Sequence, residues 1–235
     1  MKRMIVASTS TLYGGGYLEY LMPELKRLFE AKKKLVFIPY ARPGGISYDE
    51  YTGRVKEALK DLSLEVTGVH EYSDAREGIS NAGALFVGGG NTFVLMDQLC
   101  KESLLPIIRE KVLSGTPYLG TSAGSNITGP TVMTTNDMPI VHPPTLMSLN
   151  LQPFNINPHY LDPEPGSMHQ GETRETRIKE FHTCNNETVL GLREGSWLEV
   201  TDQKILLKGS LSCRVFKQGC VPYEIDSGKD LTTEV

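Results

Sequence analysis

An α/β fold, with a mostly parallel sheet covered by helices on both faces, is predicted by two features of this chain. Short, continuously apolar runs alternate with amphipathic segments through the first two-thirds, and glycine-rich loops follow the apolar runs. Continuous apolar strands separated by helices imply parallel strands buried on both sides. Met4–Ala7 reads as the first strand, followed by a Ser/Thr/Gly loop and a helical pattern from Tyr17 to Glu30. Leu35–Ile38 is the second strand. Tyr51, Val55, Ala58, Leu59 and Leu62 then repeat at helical spacing, which predicts a helix over Tyr48–Leu62. Val66–His70 and Ala84–Val87 are further strands, with helices expected over Thr92–Leu99 and Leu105–Val112. Tyr118–Thr121 is a strand that runs into the stretch GTSAGSN.

Beyond Gly129 the pattern changes. Residues 129–168 are rich in proline and poor in periodicity, and long irregular segments of this kind usually carry function or disorder. Glu172–Phe181 reads as a helix and Val189–Leu192 as a strand. Trp197–Val200, Lys204–Leu207 and Arg214–Phe216 read as C-terminal antiparallel strands. Without an internal repeat, residues 1–225 are expected to form one domain and 226–235 a polar tail that frays.

Composition excludes several classes. The net charge of −4 gives no basic field for nucleic acid or an anionic membrane. Lys32–Lys34, the one basic cluster, suits a solvated helix end. Cys100, Cys184, Cys213 and Cys220 show no C-x-x-C pairing and no metal-like spacing with histidine, so neither metal nor cofactor is expected. The opening apolar run is shorter than a signal-peptide core, and no stretch is long enough to span a bilayer. A cytoplasmic protein with reduced thiols is the expectation.

In an open α/β sheet the ligand site lies beyond the carboxyl ends of the strands. STSTLYGGG, PYARPGG, VGGGN and GTSAGSN all fall on that edge. Ser122 stands between Gly120 and Gly124 at a strand-to-helix turn. Such a turn lifts a nucleophile out of the sheet, although the pattern alone suits a plain turn serine equally well. A nucleophilic serine needs a base. His70 ends a strand, His182 ends a charged helical segment and reads as a surface residue, and His142 and His169 lie in loops. His159 follows the short strand Phe154–Pro158 and would sit at its carboxyl end. An orienting acid could be Glu194, which ends the next strand, or Asp137, in the irregular segment. VGGGN could supply an oxyanion donor. It could also cradle a phosphate, but no P-loop lysine, G-x-G-x-x-G or ribose-binding acid accompanies it.

The stretches VGGGNTF (87–93), SAG (122–124), TTNDMPIV (134–141), INPH (156–159) and GETRE (171–175) come in one order along the chain. In that order they resemble the serine peptidase family that holds the α-aspartyl dipeptidases of the peptidase E type and cyanophycinase. PYA after the second strand and DEYT at 49–52 fit as well, so the resemblance covers most of the chain. It implies a class I glutamine-amidotransferase-like α/β fold with serine in place of that superfamily's cysteine. It also implies hydrolysis of Asp-Xaa dipeptides by acyl transfer through Ser122, with His159 as general base. The amides near Gly90 and Ala123 would hold the oxyanion. The amidotransferases carry their acid two residues after the histidine, where this chain has Leu161. The family pattern offers Glu194 as third member and treats Asp137 as essential, and Asp137 would then organise its loop or bind the substrate amine.

The resemblance also selects Arg174 of GETRE to receive the aspartyl side chain, with Arg177 as the backup and Asn91 as a further substrate contact. A guanidinium matches a carboxylate in bidentate fashion, and losing a buried pairing of this kind would cost about 3–5 kcal/mol. Without the motif, Arg174 reads as a helix-surface charge in an i, i+4 pair. A homodimer in which Arg174 crosses the interface is compatible with the sequence. Two other readings of the scaffold are a cyanophycinase-like hydrolase, for which no acidic arginine pocket is visible, and a non-catalytic binding protein. A partner-binding role for the proline-rich segment 139–165 is a third.

Overall fold

Strands β1 (Arg3–Ala7), β2 (Lys34–Ile38), β3 (Glu65–Gly68), β4 (Ala84–Val87) and β5 (Tyr118–Thr121) form a parallel array in the order β3-β2-β4-β5-β1. The array is seen in a computed structural model that describes residues 1–163, 166, 168, 171–202 and 204–235. β8 (Trp197–Thr201) and β9 (Lys204–Lys208) extend this sheet in antiparallel fashion beyond β1. A second sheet has the order β11-β10-β7-β6, from β6 (Asn155–Pro158), β7 (Val189–Leu192), β10 (Cys213–Phe216) and β11 (Tyr223–Ile225). Only β6 and β7 run parallel within it.

The helices are α1 (Met22–Leu28), α2 (Tyr48–Ala58), α3 (Ala75–Ser80), α4 (Thr92–Lys101), α5 (Leu105–Leu113), α6 (Ala123–Asn126) and α7 (Arg174–Phe181). One hydrophobic cluster covers one face of the main sheet and continues into β6, β7 and β10 of the second sheet, while another fills the opposite face between the main sheet and α1 and α2. Every residue of β4 and β5 is buried, as their unbroken apolar runs require.

Several expected boundaries move for local reasons. The helix expected from Tyr17 starts only at Met22, because Leu18 is left-handed (φ 59°) and Pro23 belongs to a first turn. The helix expected over Tyr48–Leu62 ends at Ala58 and is followed by a tight 3₁₀ turn closed by left-handed Ser63. Its start is held by a capping box between Ser47 and Glu50, worth about 1 kcal/mol. His70 lies in a 3₁₀ turn, not on a strand, and α3 and β11 lacked a long enough apolar period to be foreseen. The C-terminal segment expected to fray returns along β9. The Gly228 and Lys229 segment bonds with Leu207, the Leu231 N–H donates to Ile205 O (2.7 Å), and Leu231 is fully buried. Among the described residues, no helix is long and apolar enough to cross a membrane. The four cysteines are unpaired.

Candidate active site

The carboxyl ends of β1, β5, β6 and β7 converge on one place. β6 and β7 are parallel with Pro158 opposite Leu192, so His159 and Glu194 emerge one and two residues beyond the paired ends. β5 delivers Ser122 between Thr121 and α6, with backbone angles φ 53°, ψ −110°. That conformation is costly for a non-glycine residue, about 1–3 kcal/mol. It is held by the Ser122 N–H donating to Ala7 O (3.1 Å), and by the N–H groups of Ser125 and Asn126 donating to Ser122 O (2.9 Å each). Gly124 is required because a Cβ there would overlap the Val87 carbonyl oxygen. The helix that follows is a single turn.

Ser122 Oγ lies 2.9 Å from His159 Nε2, and His159 Nδ1 lies 2.6 Å from Glu194 Oε1. His159 is also left-handed (φ 52°). Its N–H donates to Ser8 Oγ (2.8 Å), while the Ser8 hydroxyl donates to Leu192 O (2.8 Å). Ser8 is fully buried and so ties the end of β1 to both strands that carry the histidine and the glutamate. Sequence reasoning missed it. The available signal was a serine directly after the first buried strand.

Asp137 does not hydrogen-bond His159. Its Oδ2 accepts from the Thr92 N–H (2.8 Å) and the Thr135 hydroxyl (2.9 Å), which docks its loop on the first turn of α4. Asn91, expected to contact substrate, has both polar ends engaged: Oδ1 accepts from the Val94 N–H (3.1 Å) and Nδ2 donates to Met138 O (2.9 Å). It caps α4 and holds the loop. Asn136 and Asn157 complete the seam. Asn136 Nδ2 donates to Pro158 O (2.6 Å), and Asn157 Nδ2 donates to Asn136 Oδ1 (2.7 Å). TTNDMP and INPH are therefore two sides of one polar joint.

Arg174 is half-buried at the start of α7 and has no ion-pair or hydrogen-bond partner among the described residues. Burial and then the like charge of Arg177 disfavour its cation, while nearby Asp137 favours it. Arg177 is 61% exposed and only loosely paired with Glu172, at 3.9 Å. The N–H groups of Gly90 and Ala123 donate to no group among the described residues. Among the alternative bases, His70 pairs with Asp49 (2.9 Å) and His142 is exposed. His182, read as a surface residue, is buried and its ring meets Glu187 O (3.0 Å). His169 lies outside the described residues.

An ion network supports both ends of the site. Arg193, next to Glu194, donates to Asp162 and Glu224, and Arg214 bridges Glu224 to Glu175, next to Arg174. Burial alone would raise the Glu224 carboxyl, but hydrogen bonds from Arg193, Ser212 and Arg214 outweigh it and bring it down to about 2. A depressed carboxylate stabilises the fold above its unfolded value near 4.5 and loses that contribution as pH falls toward 2. Glu224→Gln should therefore cost about 1 kcal/mol at neutral pH, after allowance for solvent screening. In urea unfolding the gap from the parent should close over that acid window, and a constant gap would sink the assignment.

The model of Peptidase family S51 matches residues 4–208. A peptidase E of Streptomyces coelicolor is 46% identical over 229 residues, covering 97% of this chain and 93% of the relative. A Drosophila melanogaster protein named as a probable alpha-aspartyl dipeptidase is 44% identical over 234 residues, covering 98% of this chain and 96% of the relative. The crystal structure of a peptidase from an acI-B1 Actinobacterium shares the fold, with a TM-score of 0.71 at 17% identity over 98% of this chain and 96% of that one.

Proposed function

The chain belongs to peptidase family S51, and on that premise we propose that it is a serine-type dipeptidase that hydrolyses dipeptides beginning with L-aspartate. The observation that carries the mechanism is the hydrogen-bonded series Ser122–His159–Glu194, at 2.9 and 2.6 Å. Ser122 Oγ attacks the peptide carbonyl as its proton passes to His159 Nε2. Glu194 accepts the Nδ1–H, fixing the tautomer and stabilising the imidazolium that forms. The Gly90 and Ala123 N–H groups receive the oxyanion. His159 then protonates the leaving amine, giving an aspartyl ester on Ser122 and the free second residue. Water adds to the ester with the same histidine as base, returning aspartate and the hydroxyl. A cytoplasmic location, with the four cysteines kept as thiols, belongs to the same reading.

Specificity follows from Arg174. A half-buried guanidinium without a carboxylate partner among the described residues is complementary to the aspartyl side chain, and the Asp137 charge favours its cation. The test is matched hydrolysis of Asp-Leu, isoAsp-Leu, Asn-Leu and Ala-Leu. Only Asp-Leu should be cut efficiently. Cleavage of Asn-Leu at the Asp-Leu rate would remove Arg174's role, and preference for isoAsp-Leu would indicate a β-aspartyl hydrolase. Because Arg174 is only partly buried before substrate arrives, its loss costs less than that of a fully buried pairing. Arg174→Met should lower kcat/KM for Asp-Leu by about 100-fold and leave Ala-Leu nearly unchanged.

A further inference from the structure

We propose that Tyr51 and Arg42 are positioning residues for the oxyanion donor, holding the Gly89–Gly90 peptide so that the Gly90 N–H faces the reacting carbonyl. The proposal rests on the reading of Ser122 as nucleophile. In a planar trans peptide the carbonyl and the following N–H point in opposite directions. Whatever fixes Gly89 O therefore fixes the Gly90 N–H. Gly89 O accepts from the Tyr51 hydroxyl (3.2 Å) and from Arg42 Nε (3.3 Å).

This peptide needs such a hold. It lies in the run Gly88-Gly89-Gly90, where the absence of side chains lets a peptide unit rotate at little steric cost. Its flanks are pinned: the Gly88 N–H donates to Ile38 O (3.2 Å) and the Asn91 N–H donates to Ala41 O (2.6 Å). Gly90 has φ 143°, and a Cβ there would overlap the Ala41 carbonyl. Between those anchors, among the described residues, the two contacts on Gly89 O set the direction. Turned over, the peptide would present its carbonyl oxygen where the oxyanion must form, and the two negative oxygens would repel.

The segment sits against the nucleophile, since a Cβ on Gly89 would lie 3.0 Å from Ser122 Cβ. Both clamping groups are themselves held. Tyr51 is 2% exposed, with its ring edge-on to Phe37 at 4.9 Å, and the Arg42 guanidinium covers the same ring at 5.1 Å. The proposal gives a task to the PYARPGG and DEYT stretches, which the triad does not use.

The experiment compares the full-length parent with Tyr51→Phe, Arg42→Met and the double variant. Steady-state hydrolysis of Asp-Leu is measured together with binding of two probes. The aldehyde analogue of aspartate forms a hemiacetal: Ser122 Oγ bonds to its carbon, the carbonyl electron pair moves onto oxygen at the oxyanion position, and His159 takes the serine proton. L-Aspartate occupies the site without forming that oxygen. Each single variant should lower kcat about 3- to 10-fold, and the double about 10- to 100-fold. KM should stay within about twofold. Aldehyde affinity should fall in step with kcat/KM, with L-aspartate affinity unchanged. Parental kcat and aldehyde affinity in the double variant would overturn the proposal, as would equal losses of affinity for both probes. Arg42 is exposed, so its variant keeps the test valid if losing the Tyr51 hydroxyl disturbs the core. Hydrolysis of Asp-Leu by Ser122→Ala at the parental rate would instead refute the nucleophile, a separate outcome.

Discussion

Ser122→Ala is expected to lower kcat for Asp-Leu by about 10⁶-fold, as removal of a nucleophile does when its base and oxyanion donors remain. The fold should be nearly untouched. Alanine at φ 53° carries the same backbone strain as serine, and the N–H to Ala7 O and the bonds from Ser125 and Asn126 do not involve the side chain. Among the described residues, the one side-chain hydrogen bond lost is the 2.9 Å contact with His159. The variant should therefore melt within a few degrees of the parent and still bind L-aspartate through Arg174. A fluorophosphonate should label the parent once, at Ser122, and leave the variant unmodified. If the variant kept a tenth of the parental rate, the nucleophile would lie elsewhere and the Ser122–His159 contact would be structural.

The parallel array could be read from the sequence because β1, β2, β4 and β5 are largely buried on both faces and so are written as mostly apolar runs. Ser122, His159 and Glu194 became candidates because each lies one or two residues beyond a strand end, where chain direction places chemistry, and because the family motifs select them. The pairing of β6 with β7 sets His159 beside Glu194, a proximity that the sequence alone did not show. What escaped the sequence was the support around these residues. Ser8 meets His159 across 151 positions, and Arg42 and Tyr51 meet Gly89 across 47 and 38. Hydrogen bonds from side chains to distant backbone atoms leave no periodic trace. Asn91 shows the same limit: an asparagine after a glycine-rich turn suits a substrate contact and a helix cap equally well, and the structure shows the cap. His182 was misread because its charged neighbours suggested surface, whereas its ring turns inward to Glu187 O.

Glu194→Gln is expected to lower kcat by about 10³-fold with little change in KM. The amide keeps the size of the carboxylate but loses its charge, so the imidazolium formed during attack is no longer compensated. If the amide nitrogen faces the ring, it also favours the wrong tautomer. The effect should fall short of the roughly 10⁴-fold associated with a fully buried acid, because the Glu194 side chain is 52% exposed and water can replace part of its role. Its charge is nonetheless felt locally: burial, and then Glu194, push the Tyr20 phenol upward. Asp137→Asn provides the contrast. Asparagine Oδ1 can still accept the Thr92 N–H and the Thr135 hydroxyl, so the loop should stay docked on α4, and any loss should fall mainly on KM through the altered charge beside Arg174. Measured together on Asp-Leu, the two variants separate the roles. A larger kcat loss in Asp137→Asn than in Glu194→Gln would mean that Asp137 reaches the histidine during turnover and that the 2.6 Å contact to Glu194 is a resting arrangement.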